Sequence, residues 1–502
     1  MQQLEARITR EVPLKPVPNP EPVELRGVVW ALWAAFAIVT LIATGPDPDL
    51  WGHLRFGLDW WETHTLPLSD PYSFTQDRPW INHEWLSEAA MGAAYLAGGI
   101  VGLIFLKVAV IGATLALLCW RLRGATPLVS TMVLGFAIVC VLPISLTVRP
   151  QLWSVLGLAC LAALLDRTAA PTVGRVLAVA LLFALWANLH GGWITGAAVL
   201  VVYSTVRAWR ARRDAVRWFG LVAAAIAATL INPYGVGLWR FLGSTVRSSR
   251  PDITEWQPMT LESPMILWVP IVTTAVIAGL LNRRAETRPP LAVSAVLLLL
   301  ILAGVRVHRV APLMGPASLV LLAPYIRLAW GRIGRLRAPN RQAAQVLWIP
   351  VLVAMLAVAR PTAKSVTCLP IESDWAPDLA LASSLQGLTG RLVTTFDWGE
   401  YAIWHFGPAL RVSIDGRRET VYSDSVVQLH RRFERGEREA LERIRELAPD
   451  YVWLPASRTI ARQWLGANGY RIDVESSDSF IAVRNDLPVV DKAERAMPAC
   501  FP

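Results

Sequence analysis

The stretch PDPDLWGHL, residues 46–54, places two carboxylates and an imidazole within seven positions, directly after the apolar run 27–45. If the chain is helical from Asp49 onward, Asp49 and His53 stand four apart and share a face, with Asp47 in the preceding turn. His83 and Glu84 form a second pair of ionisable neighbours later in the same loop. A carboxylate so placed can act as general base on a hydroxyl, so Asp49 is the first candidate for that role, with Asp47 and Glu84 as second carboxylates. The set Asp47, Asp49, His53, His83 and Glu84 also supplies candidate ligands for a divalent metal, Mg or Mn, although no spacing among them requires one. Solvated loop charges are the alternative reading of the cluster.

More ionisable residues come from within or beside apolar runs, where a charge costs about 3 kcal/mol at mid-membrane and usually serves a function. Arg149 precedes Pro150, Asn188 and His190 lie in WANLHGGWITG where the chain turns back through a glycine pair, and Arg306, His308 and Arg309 follow one another at a run's end. A guanidinium offers paired donors that fit phosphate oxygens, which makes Arg149, Arg306 and Arg309 candidates to hold phosphate, with interfacial snorkelling as the alternative. Lys107, about two turns into its run, is expected to snorkel. His53, His83, Asn188 and His190 are candidates to orient a sugar or a metal; for His190, metal ligand, substrate contact and hydrogen-bonded packing residue all stay open.

The elements that would position these residues follow from composition. Of 502 residues 54% are hydrophobic and 17% charged, with mean hydropathy +0.41, which suits a multi-pass membrane protein and not a soluble one. Runs suited to crossing about 30 Å of hydrocarbon occur near 27–45, 100–120, 126–146, 151–166, 176–190, 193–209, 218–232, 265–281, 290–305, 310–328 and 344–360. About eleven helical spans are expected. Seventeen arginines, from Arg121 to Arg341, fall on one alternating set of short loops. By the positive-inside rule those loops are cytoplasmic, and the opposite loops and residues 361–502 lie outside. The net charge of +10 thus reports orientation in the membrane. Dispersed over five loops, the arginines form no single basic face for nucleic acid. Residues 1–26 lack a secretory signal's apolar core and cleavage site and are read as a cytoplasmic tail. The transmembrane part then spans 27–360.

The first outside loop, 46–99, is expected to carry two helices. Leu50, Leu54, Leu58 and Trp61 have helical spacing and suggest an interfacial helix. Pro67, the Asp70-Pro71 pair and Asp77 mark turns. A second helix begins after Asn82 as its cap and runs to Gly98-Gly99. Another long outside loop is expected from Asn232 to Pro258. Beyond 361 the pattern becomes that of a soluble α/β domain. Strands are expected at 391–396, 409–415, 450–455 and 479–485 and helices near 398–405, 423–447 and 457–468, giving a partly parallel sheet. Asp397-Trp398-Gly399 and the segment 415–419, DGRRE, are candidates to line a pocket, ordinary turns being the alternative. Cys368 and Cys500 lie near the two ends of this domain, where an oxidising compartment would permit a disulfide; two free thiols is the other reading.

The order of features resembles the GT-C superfamily of membrane glycosyltransferases, closest to its aminoarabinose and protein O-mannosyl transferase branches over residues 27–120: an acidic residue directly after the first span, then LRFGLDWWETHT, PLSDPYSFTQDRPW and NHEWLSEAAMGAAYLAGG. VRPQLWS, WANLHGGW, INPYG, ITEWQP, RVHRVAPL and IDGRRE are similar to a large group of bacterial multi-pass proteins of no assigned activity. The resemblance implies a polyprenyl-phosphate-linked sugar as donor, transfer with inversion to a lipid, glycan or protein acceptor outside the membrane, and a catalytic acid at Asp49 or Asp47. Two other classes are carried beside it: a lipid or oligosaccharide transporter or flippase, and a non-catalytic envelope-assembly protein. A transporter predicts polar residues along the whole transmembrane path and internal symmetry, neither of which the sequence displays. An assembly protein leaves the first-loop acids without a role.

Overall fold

The computed structural model describes residues 40–125, 146–165, 169–247, 256–261, 288–330, 368–371 and 375–502, with isolated positions at 37, 130, 133–138, 140 and 366. Seven of the expected spans fall on described helices: α2 (Trp85–Arg121), α3 (Gln151–Leu165), α4 (Val173–Leu189), α5 (Trp193–Arg210), α6 (Ala215–Ala228), α8 (Leu291–Arg306) and α9 (Ala311–Trp330). The runs near 27–45, 126–146, 265–281 and 344–360, and the tail 1–26, lie wholly or mostly outside the described residues. By length and composition Trp85–Arg121 and His308–Leu328 could each cross a membrane, while Gln151–Leu165, Val173–Leu189 and Leu291–Arg306 are shorter apolar helices. The described helices therefore account for part of the expected set.

In the first loop, α1 (Leu50–Thr63) starts at Asp49, as the apolar spacing predicts. It does not lie bare on a membrane surface. Leu50, Trp51 and Leu54 are fully buried, in one apolar core with Tyr401, Ile403 and Trp453 of the C-terminal part. On its other side α1 crosses α2 at near-backbone distance. A Cβ at Gly57 would lie 2.0 Å from the Glu88 carbonyl oxygen, and Gly92 faces Gly57 across the same crossing. Helix α2 starts at Trp85, later than expected, and Asn82 Oδ1 accepts from the Glu84 amide just before it. At Gly98-Gly99 it kinks, with φ −161° and +57°. Lys107 does not snorkel. It is fully buried, and its Nζ donates to the Ala43 carbonyl at 2.9 Å and Thr44 Oγ1 at 2.6 Å, tying α2 to the segment entering the loop. An amine buried away from water needs such partners, and the entering segment supplies them at hand. The loop after α6 carries α7 (Val236–Arg247).

The C-terminal part holds a five-stranded sheet in the order β3 (Leu410–Val412), β2 (Gly390–Val393), β4 (Tyr451–Pro455), β6 (Ser479–Arg484), β5 (Tyr470–Glu475). Strands β3, β2 and β4 are parallel, and β6 and β5 add antiparallel. Its helices are α10 (Phe396–Phe406), α11 (Asp424–Glu434), α12 (Arg438–Glu446) and α13 (Thr459–Ala467). The helix expected over 423–447 is two, parted at Gly436 with φ +77°, a value that glycine adopts freely. A short antiparallel pair, β1 (Leu369–Pro370) with β7 (Cys500–Phe501), brings the two ends together, and a disulfide joins Cys368 to Cys500. The first loop extends the sheet at its β3 edge: Val412 exchanges backbone hydrogen bonds with Tyr72 and Phe74 at 2.8 and 3.1 Å.

Candidate active site

A cavity of about 1030 Å³ lies between the apolar helical part and the C-terminal part. Its walls include Asp49, His53, His83, Glu84, Arg149, His190 and Arg309 on one side and Asp397, Glu400, Arg417, Arg418 and His430 on the other. The structure thus brings together seven of the residues singled out in the first loop and the apolar runs, and with them Asp397 and residues 416–419 of the DGRRE segment. Asp47, Asn188 and Arg306 are not among the lining residues.

The start of α1 distinguishes the two aspartates. Asp47 is buried; its Oδ1 accepts from the Asp49 amide at 3.0 Å and its Oδ2 from Arg149 Nε at 2.6 Å. Arg149 also reaches Asp49 Oδ2 through Nη2 at 3.4 Å. Asp49 keeps a side chain about one-third accessible (32%) and open to the cavity. Deep placement raises its carboxyl above the usual range, Asp47 adds to the rise, and Arg149, His53 and Arg309 oppose it.

Behind Asp49, His53 Nδ1 lies 3.0 Å from Glu88 Oε1, and Asn82 Nδ2 donates to Glu88 Oε2 at 2.5 Å. Burial alone would lower the imidazole, but the hydrogen bond to Glu88 and the charges of Glu88, Glu84 and Asp49 raise it to about 9. It is an imidazolium at neutral pH. Glu84 lies between two histidines, with His83 Nε2 and His190 Nε2 each 3.5 Å from its Oε1. Burial would raise this carboxyl; His83, His190, His53 and Arg309 together hold it at about 2. His190 Nδ1 accepts from the Gly192 amide at 3.1 Å and lies 2.6 Å from Ser154 Oγ, which itself accepts from Trp186 Nε1 at 2.8 Å. This network places the proton on Nε2, toward Glu84.

Asn188 works in the framework: Oδ1 accepts from Trp85 Nε1 at 2.8 Å, and Nδ2 donates to the Ala184 and Ile231 carbonyls, each at 2.8 Å. It pins α4 to the start of α2 and to the INPYG loop, whose Tyr234 hydroxyl accepts from the Asn82 amide at 3.1 Å. Arg306 ends α8 on the exposed surface, whereas Arg309 stands over the Trp256 ring, 5.7 Å from its centroid. Among the described residues no group of three or more His, Cys, Asp or Glu is placed to hold a metal ion. The candidate donors are engaged otherwise, Asp47 by Arg149 and His53 by Glu88.

The far wall combines candidate pocket-lining residues, Asp397 and the DGRRE segment, with Glu400 and His430, which the sequence did not single out. Arg417 is buried and grips both parts of the chain. Nη1 and Nη2 donate to the two Asp70 carboxylate oxygens at 2.7 and 2.8 Å, and Nε and Nη2 to those of Asp415 at 2.9 and 2.8 Å. The guanidinium also stands within 5 Å of the Phe56 and Trp80 ring centroids, at 4.9 and 4.8 Å. Tyr422 donates its hydroxyl to Asp415 Oδ2 at 2.6 Å. Burial would raise Asp415, but Arg417 and Tyr422 hold it below the usual range. Glu400, from α10, accepts from the Gly52 amide at 3.1 Å. The segment DGRRE was visible as a candidate pocket lining; Glu400 had no signal beyond one acid in an apolar helix.

No family model matches the sequence, and no curated protein matches it. Solved structures do. An arabinofuranosyltransferase from mycobacteria, AftD, superposes with TM-score 0.51 at 16% identity over 94% of this chain. This chain spans 40% of the length of that protein. An R1389S mutant of the same enzyme gives TM-score 0.50 at 17% identity, over 91% of this chain and 41% of that one. ArnT from Cupriavidus metallidurans, solved bound to undecaprenyl phosphate, aligns over 92% of this chain and 97% of its own at 11% identity, with TM-score 0.49. The chain has a GT-C-like fold, with a sheet-containing C-terminal part.

Proposed function

We propose that the protein is a membrane glycosyltransferase that moves a sugar from a polyprenyl-phosphate-linked donor to an acceptor hydroxyl outside the membrane, with inversion. The observation that carries this reading is Asp49 opening into a cavity of about 1030 Å³ that is also lined by Arg149 and Arg309. Asp49 takes the acceptor proton as general base. The acceptor oxygen bonds to the anomeric carbon on the face opposite the phosphate, and the bond from that carbon to the phosphate oxygen breaks, its electron pair leaving with the phosphate. Arg309 faces the departing charge. Arg149, bound to both aspartates, holds the base in place, and Asp47 holds Arg149. No step is routed through a metal. The likeness to an arabinofuranosyltransferase in fold is consistent with this chemistry and carries no sugar identity across.

The test is transfer from labelled polyprenyl-phosphate sugars by the purified protein in lipid. Asp49→Asn is expected to lower kcat by about a hundredfold or more, the usual contribution of a general base. Asp47→Asn, acting through Arg149, is expected to cost about tenfold. Full activity in Asp49→Asn would overturn the assignment of the base, and no transfer from any donor by the unaltered protein would overturn the reaction.

A further inference from the structure

Glu400 meets the proposed base across the boundary between the two parts of the chain. It is 3% exposed, and its two oxygens have different surroundings. Oε2 accepts from the Gly52 amide in the first turn of α1. Oε1 faces Gly416, and so does Asp49 Oδ1: a Cβ on residue 416 would lie 2.8 Å from the first and 2.5 Å from the second. Arg149 is at the other oxygen of Asp49, Oδ2. Gly52 is equally constrained, since a Cβ there would lie 2.1 Å from Glu400 Oε2. Two glycines thus leave room for two carboxyl groups to converge.

Carboxyl groups converging away from bulk water do not both ionise; one keeps a proton and gives it as a hydrogen bond to the other. The surroundings divide the roles. Asp49 has a guanidinium beside it, which favours its anion, while Glu400 has an amide on one oxygen and leaves the other to carry hydrogen. We propose that Glu400 is a positioning residue for Asp49, its Oε1–H donating to Asp49 Oδ1, so that the seating of the C-terminal part on α1 fixes the orientation of the base. The proposal rests on the reading of Asp49 as general base. The charges around the pair agree with it. Burial first, then Asp49, Asp415 and Glu88, with Arg417 opposing, raise the Glu400 carboxyl well above its ordinary range. Around Asp49 stand Asp47, Arg149, His53 and Arg309, with Asp397 across the cavity. In transfer Glu400 keeps its own proton; the acceptor proton passes to Asp49, and the electron pair of the broken bond leaves on the phosphate.

A purely structural Glu400 would clamp Gly52 and nothing else, and two measurements separate the cases. Glu400→Gln retains an acceptor for Gly52 and a donor for Asp49, so its kcat is expected within about threefold of the unaltered protein. Glu400→Met loses both groups and is expected to lower kcat about ten- to a hundredfold with KM for the donor unchanged, as a displaced catalytic group does. In thermal unfolding, the Asp49→Asn and Glu400→Met shifts are expected to be non-additive in the double variant. Additive shifts overturn the contact, and kcat unchanged in Glu400→Met overturns the positioning role. If Glu400→Met does not fold, the Asp49→Asn, Glu400→Gln double variant decides: melting shifts that add overturn the contact, and non-additive shifts support it. Non-additive shifts in a protein that transfers no sugar overturn the reaction and leave the Asp49–Glu400 contact standing.

Discussion

At the scale of single residues, the first-loop acids are sorted by what each one touches. Asp47 is used up by Arg149 and the Asp49 amide, Glu84 by two imidazoles, and Glu88 by His53 and Asn82. Asp49 alone of these four keeps about a third of its side chain accessible. His53 provides the residue-scale prediction. Its folded pKa, about 9, lies above the unfolded value near 6.5. The stability it contributes is therefore fully present below about pH 6.5 and is lost as pH rises through about 9. At about 1.4 kcal/mol per unit, the fall across that window is a few kcal/mol at most. Thermal unfolding measured from pH 6 to 10 is expected to show this decline, and Glu88→Gln is expected to flatten it. A decline of equal size in Glu88→Gln would remove Glu88 as its cause.

At the scale of elements, the crossing of α1 and α2 is set by glycine. The Gly57 Cβ position is 2.0 Å from the Glu88 carbonyl oxygen, a backbone atom that no rotamer change can move. Gly57→Ala is expected to force the helices apart, to cost about 1–3 kcal/mol as overpacking does, and to disturb His53, which reaches Glu88 from the same helix pair. Gly112→Ala, with nothing near its Cβ position, is the control, and melting temperatures of both variants report the difference. Equal melting temperatures would mean that the crossing is loose. These elements were largely legible in the sequence. The period of Leu50, Leu54 and Leu58 marked α1, the glycine pair 98–99, expected to end the loop helix, is a kink through which α2 continues, and four strands were marked by short apolar runs between turns. Strand β5, YRIDVE, escaped because its polar residues dilute the pattern and its register shifts between Ile472 and Val474. The break at Gly436 escaped because apolar spacing runs through it on both sides. The cavity-lining residues of the first loop were legible as charge beside grease, since ionisable groups there need a reason. Glu400 was not, and Arg417 was legible only as part of a candidate pocket lining, because their roles exist only once α10 and β3 are packed on a loop more than three hundred residues earlier in the chain.

At the scale of the whole molecule, the helical part and the C-terminal part share one apolar core through α1, one sheet edge through Tyr72 and Phe74, and one buried ion cluster at Arg417. The cluster is the most specific of the three joints. Asp70 belongs to the first loop and Asp415 to the end of β3, and both side chains are fully buried, so neither can turn to water if the arginine is removed. Arg417→Met therefore leaves two buried acids without a counter-charge and is expected to cost about 3–5 kcal/mol. Arg417→Lys is expected to be nearly as damaging, because an ammonium cannot make the paired contacts to both carboxylates. If the harm comes from stranded charge and not from lost packing, replacing the acids together with the arginine, as Asp70→Asn, Asp415→Asn and Arg417→Met, recovers much of the melting temperature. Because this joint closes the far wall of the cavity, Arg417→Lys is also expected to lower the proposed sugar transfer more than binding of the proposed donor. A melting temperature for Arg417→Met equal to that of the unaltered protein would show that the two parts are held by the apolar core and the sheet edge alone.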